Sequence, residues 1–153
     1  VQTFQHILSH KNLIFVPLKS KKICLYVGKY HPLYHEESVD FSDLPKLRFV
    51  RGVRDFFSME HHLESVSMGI IDTKNLHHSV YTNSDHLYTD LLLYTDVCSL
   101  GLDFMHEPYE QYDIKSLPIN GCEPFLQIGY IRDPERVLSE QSVWIIENFE
   151  KML

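Results

Sequence analysis

Apolar residues gather along this chain in short runs set off by polar turns, and the runs alternate between two spacings. Leu13–Val16 and Ile23–Val27 are compact apolar stretches on either side of LKSKK. The first is closed by Pro17 and the second by His31-Pro32, so both are predicted strands. Between Ser38 and Leu47 the spacing widens. Phe41 and Leu44 lie three apart, Ser38 or Asp40 can cap, and Pro45 closes a short turn of helix before LRFV at 47–50 returns to strand. From 56 to 68, Phe56, Met59, Leu63 and Val66 recur at three- and four-residue steps with Gly69 behind them, the pattern of an amphipathic helix. SVYTN at 79–83 reads as a strand, Ser84 or Asp85 opens a helix through about Thr95, and Cys98–Phe104 reads as a short strand interrupted by Gly101. Beyond a loop holding Pro108 and Pro118, PFLQIGYI at 124–131 is the clearest strand of the last third, broken by Arg-Asp-Pro. SEQS at 139–142 then introduces a helix on which Val143, Ile146 and Phe149 share a face that Trp144 and Ile145 widen. Strand and helix alternate almost throughout, which makes the fold class α/β. No internal repeat or low-complexity tract interrupts the pattern.

Composition narrows the partners. With 153 residues, 44% of them hydrophobic, the chain can build one compact domain or two small lobes around a real core. Fourteen Lys and Arg against 21 Asp and Glu leave a net charge of −7. The basic residues are scattered apart from LKSKK, so the surface is expected to repel a phosphate backbone. Cys24, Cys98 and Cys122 are odd in number and sit in strand-like contexts, which points to reduced, semi-buried thiols and a cytoplasmic setting. No run approaches the roughly 18 consecutive apolar residues of a membrane helix, and no basic segment followed by an apolar one opens the chain. Neither membrane insertion nor export is expected.

Ten histidines raise the question of a metal. HPLYHEE at 31–37 and MEHHLE at 59–64 are the densest clusters, but His31 and His35 have Pro32 between them, which opposes a shared helical face. His61 and His62, like His77 and His78, are adjacent and point different ways. These histidines are read as solvated or locally hydrogen-bonded, and no metal is expected. No GxSxG elbow exists; Ser99 in CSLG lacks the first glycine and is read as a strand residue. No GxGxxG or phosphate-cradling loop exists either, and nothing basic adjoins Cys122 in NGCEP to activate its thiol. The sequence therefore predicts no catalytic residue and no cofactor. What remains is polar corners. TNSD at 82–85 ends a strand and opens a helix, so backbone N–H groups and the Ser84 hydroxyl can face a cleft or simply cap the helix. RGVRD at 51–55 follows another strand, and in open α/β sheets ligands sit beyond the carboxyl ends of strands.

The order of these pieces is more informative than any one of them. KICLYVGKYHPLYHEESVDFSDLPKLRFVRG at 22–52 resembles the start of the second lobe in the effector-sensing domain of LysR-type transcriptional regulators. The helix near 56–68, SVYTN, the helix opened at Ser84, SLGLDF and the closing SEQSVWIIENFEKML follow in matching order. The resemblance covers about residues 12–153. It departs at Asp103, which stands where a second glycine of a Gly-x-Gly turn is expected, and Val1 falls late in the first lobe.

The resemblance implies a periplasmic-binding-protein-like lobe with a mixed sheet flanked by helices. Residues 1–22 are expected as the end of a first lobe, 23–124 as the second lobe, and 125–153 as the return strand and closing helix of the first. Most of the first lobe and the DNA-binding winged helix-turn-helix would lie outside this sequence. Ile23–Val27 and Phe125–Ile131 would be hinge strands. Effector contacts would come from Arg51 and Gly52, from Thr82, Asn83 and Ser84, and from Gly101 and Leu102. The implied partners are a small-molecule effector, with an anionic group favoured by the helix amino terminus and opposed by Asp85, a second copy of the chain in a homodimer or higher oligomer, and DNA only through the separate domain. A free solute-binding protein and, less favoured, a metal-dependent enzyme using the histidines remain the alternatives.

Overall fold

The computed structural model describes residues 8, 10–53, 79–103, 111–124 and 126–153. The helix expected over 56–68 and the loop around Pro108 lie outside these residues. The chain forms two compact units, one spanning Lys22–Phe125 and the other combining Val1–Lys21 with Leu126–Leu153. Its strands are β1 (Ile14–Lys21), β2 (Ile23–Gly28), β3 (Val39–Asp40), β4 (Phe49–Gly52), β5 (Ser79–Thr82), β6 (Cys98–Leu102), β7 (Ile114–Asn120) and β8 (Leu126–Arg132). Among the described residues two helices follow the same order, α1 (Asp85–Tyr94) and α2 (Glu140–Met152), with a 3-10 helix over Phe41–Lys46.

The Lys22–Phe125 unit is built on a six-stranded mixed sheet in the order β3-β7-β2-β6-β4-β5. β2 runs antiparallel to both β6 and β7, whereas β4 runs parallel to β5 and to β6. Every residue of β2 is buried, because both faces of the sheet are covered. Ile23, Leu25 and Val27 pack with Phe41, Leu44, Phe49, Leu117 and Ile119 on one face. Cys24 and Tyr26 pack with Val50, Leu92, Val97 and Ile114 on the other. Two-sided burial explains why ICLYV reads as a continuous apolar run rather than an alternating one. Each fully buried leucine here stabilises the fold by roughly 1.5–3 kcal/mol relative to leaving it in water.

Helix α1 lies against this second face. Its start is fixed by Ser84, whose hydroxyl oxygen accepts the Leu87 N–H at 3.3 Å. Near its end it comes so close to β2 that a Cβ at Gly28 would stand 1.8 Å from the Leu92 carbonyl oxygen. Only glycine permits that approach.

The second unit contains the β1–β8 antiparallel ribbon, in register from Ile14 opposite Arg132 to Lys21 opposite Leu126. Helix α2 is capped by Ser139, which accepts the Ser142 N–H at 3.2 Å. The amphipathic face expected of α2 forms, but Val143, Trp144, Ile145 and Phe149 are all exposed.

Four expectations need correction. β1 does not end at Pro17 but runs on through LKSK to Lys21, with a register shift between Pro17 and Lys19. Proline is tolerated at such an irregularity in a two-stranded ribbon, where little ladder is lost. Ile23–Val27 is not one of two hinge strands; it is central in the six-stranded sheet, and the partner of Leu126–Arg132 is β1. Pro118 belongs to a strand rather than a loop. β3 meets β7 only at Ile119 and Asn120, so the edge of β7 beside Pro118 carries no ladder from β3. Pro45 lies inside the 3-10 helix instead of closing it, and Asp40 stands at the cap position without capping it, its Oδ1 accepting instead from the Asn120 side-chain amide at 2.8 Å.

Candidate functional site

Three parallel strands, β6, β4 and β5, send their carboxyl ends to the same edge of the sheet. Arg51 and Gly52 end β4, Thr82 ends β5, and Gly101 and Leu102 end β6. β4 and β5 are in register, Arg51 beside Tyr81 and Gly52 beside Thr82. The two corners are joined directly, since the Val53 N–H donates to the Thr82 carbonyl at 2.9 Å.

The corner after β5 is organised by its own side chains. Buried Thr82 accepts the Ser84 N–H on Oγ1 at 3.1 Å, while Ser84 accepts from Leu87 as the cap. The Ser84 hydroxyl proton is not used in capping and can be donated outward, beside the first-turn N–H groups that helix geometry leaves without intrahelical acceptors. Asn83 is exposed at the same turn. The acid in this first turn is Asp85, which opposes an anion there.

The guanidinium of Arg51 lies over the Tyr81 ring, 5.8 Å from its centroid, and Nη1 donates to the Tyr81 hydroxyl at 3.3 Å. Tyr81 was not expected from the sequence. Its place beside Arg51 follows from the parallel register of FVRG and SVYT, and aligning those two four-residue strands was the signal available. A side chain at Gly52 would meet no atom of the described residues within 4 Å, so the glycine leaves space next to the charged group.

Gly101 and Leu102 share this edge but differ in kind. They lie in β6 rather than in an open turn, and both are buried. The Leu102 carbonyl accepts the Tyr26 hydroxyl at 2.6 Å, and the Asp103 N–H donates to the Lys22 carbonyl at 3.2 Å.

The groups that could support other chemistry are turned to structure. His31 is buried, and its Nδ1 accepts the Leu33 N–H at 3.1 Å, so the HPL turn is held by an imidazole acting as a backbone acceptor. Burial pushes its pKa down, with Asp96 opposing. Among the described residues no three His, Cys, Asp or Glu side chains gather as metal ligands, and the histidine pairs at 61–62 and 77–78 lie outside those residues. All three cysteines are free and buried. Burial pushes the Cys24 thiol up to about 12 and raises those of Cys98 and Cys122 as well, which suppresses the thiolate that reaction would require. No described helix is long and apolar enough to cross a membrane.

No protein-family model matches the sequence, and no curated protein does so either. Solved structures do match in fold. The effector-binding domain of QuiR in complex with shikimate superposes with a TM-score of 0.61 at 17% identity, covering 98% of this chain and 76% of that one. The fold is that of a LysR-type effector-binding domain. The regulatory domain of CcmR from Synechocystis PCC6803, in complex with 2-PG, gives a TM-score of 0.62 at 10% identity over 97% of this chain and 77% of its own. The OxyR2 regulatory domain from Vibrio vulnificus, a C206S mutant, gives 0.65 at 12% identity over 99% and 78%. Such an effector-domain fold agrees with the mixed sheet flanked by helices that the resemblance implies.

Proposed function

We propose that this chain is the ligand-sensing regulatory domain of a LysR-type transcriptional regulator, working in the cytoplasm without catalysis. In this reading it binds a small effector and controls DNA binding by a separate winged helix-turn-helix domain. The observation that carries the reading is the likeness in fold, over at least 97% of the chain, to sensing domains solved with shikimate and with 2-PG. The joined corners at Arg51–Gly52 and Thr82–Ser84 support it. Arg51 offers a cation, Ser84 a hydroxyl donor and α1 a positive helix end, a set suited to a carboxylate or phosphate-bearing ligand. The net charge of −7 supports leaving DNA contact to a separate domain.

The test is calorimetric titration of the full-length regulator with a ligand found by thermal-shift screening of small carboxylates, shikimate among them. Ser84→Ala is compared with Ser139→Ala, which removes an equivalent cap from α2. Both should lose about 1 kcal/mol of stability from capping. Ser84→Ala alone should weaken binding, by about 1 kcal/mol for a neutral ligand group and up to about 3 for a charged one. Equal affinity in the two variants would make the corner a helix cap and nothing more.

A further inference from the structure

Gly101 has a role that a turn does not explain. It sits opposite Cys24 in the β2–β6 ladder, and a Cβ there would fall 2.2 Å from Cε2 of the Tyr26 ring. The ring passes over the glycine, and its hydroxyl ends on the Leu102 carbonyl at 2.6 Å, with the pair buried. One residue further, the Asp103 N–H closes on the Lys22 carbonyl. Lys22 is where the chain passes from one unit into the other. The carboxyl end of β6 is thus fastened to the opening residues of β2 by one side-chain bond and one backbone bond.

We propose that Tyr26 is a positioning residue for the candidate effector edge, a latch that holds the carboxyl end of β6 against the strand by which the chain enters this unit. The functional part of this inference rests on the ligand-binding reading above, whereas the latch stands on the Tyr26–Leu102 bond and the Gly101 clearance. A buried phenolic hydroxyl and a buried backbone carbonyl each need a hydrogen-bond partner, and here each satisfies the other. Here the bond satisfies the last acceptor of β6 at the level where β4 and β5 present Gly52 and Thr82. It occupies one of that carbonyl's two lone pairs. The donors at the edge come from Arg51 and Ser84, while its third strand contributes an acceptor that is already partly engaged.

Residue-resolved amide exchange on the full chain tests the latch without a ligand. Tyr26→Phe keeps the ring and removes the bond. Exchange at Asp103 should rise at least tenfold, while Val27 and Leu117, deep in the same sheet, keep wild-type protection. Gly101→Ala should produce the same local rise by displacing the ring, and adding Tyr26→Val should restore much of the lost melting temperature because the clash is with the ring. Uniform acceleration at Asp103, Val27 and Leu117 would reduce Tyr26 to an ordinary core residue, and unchanged Asp103 exchange would remove the latch outright. The ligand reading fails separately. Unchanged affinity in Ser84→Ala together with local exchange in Tyr26→Phe removes the ligand corner and keeps the latch; the opposite pair of results keeps the corner and removes the latch.

Discussion

A buried imidazole that accepts a backbone N–H can do so only while neutral, and His31 is in that position beneath the turn that leaves β2. Its pKa in the fold is below the ordinary 6.5 because burial disfavours the charged form. As pH falls through about 6.5 the unfolded chain takes up the proton first, so stability is full above that value and declines on acidification. The decline levels off once the folded form is protonated as well. His31→Asn offers an acceptor to the same N–H in an Asx-type turn and carries no titrating group. Chemical denaturation between pH 8 and 5 should show wild type losing stability over the acidic half, while His31→Asn starts about 1 kcal/mol lower from lost packing and shows a shallower slope. Parallel slopes would mean that His31 is not the group responsible. At His31 the histidine-rich HPLYH stretch makes a local hydrogen bond, one of the two roles read for these histidines from the sequence. Proline between two histidines argued against a shared helical face, but the bond from Leu33 depended on a three-residue geometry that spacing alone does not give.

At the scale of elements, what was legible tracks what is local. Ser84 and Ser139 each precede an amphipathic run and each caps a helix, because a hydroxyl two or three residues ahead of free N–H groups is a short-range event. β2, β5 and β6 announced themselves through compact apolar or alternating runs. β7 did not, because Pro118 reads as a breaker and its tolerance depends on how short β3 is. The continuation of β1 through LKSK was hidden for a related reason, since a ribbon with one partner buries few side chains and keeps its polar residues. The candidate site divides in the same way. Polar residues at strand-to-helix corners could be read directly, and Arg51, Gly52, Thr82, Asn83 and Ser84 do come together. The stacking of Arg51 on Tyr81 needs a parallel register between two strands distant in sequence, and the demand for glycine at 101 needs the ring of Tyr26 from another. Neither relation has a sequence period.

For the molecule as a whole, the apolar face of α2 is, among the described residues, left open to water. Trp144 is 66% exposed and Met152 78%, with Ile145 and Phe149 beside them on the same helix. A face of this kind is expected to be covered, and self-association of the chain is the proposed cover. Sedimentation at tens of micromolar should show dimers or larger species, with Trp144 shielded from iodide in proportion to the associated fraction. A monomer with freely quenched Trp144 would count against it. The β1–β8 ribbon carries a different consequence, one of time. Ile14 waits for Arg132 and Lys21 for Leu126, so their ladder closes a loop that contains the whole Lys22–Phe125 unit. Loop closure on that scale is entropically costly until the intervening chain is compact, which makes the ribbon a late event on the route to the native state. Val16→Ala should therefore speed unfolding and leave the refolding rate nearly unchanged, whereas Leu117→Ala in the enclosed sheet should slow refolding. Stopped-flow chevrons would reveal the order, and a refolding rate that falls more for Val16→Ala than for Leu117→Ala would reverse it. On the ribosome β1 would then have to remain unpaired until β8 has been synthesised, an interval in which it is open to the wrong partner.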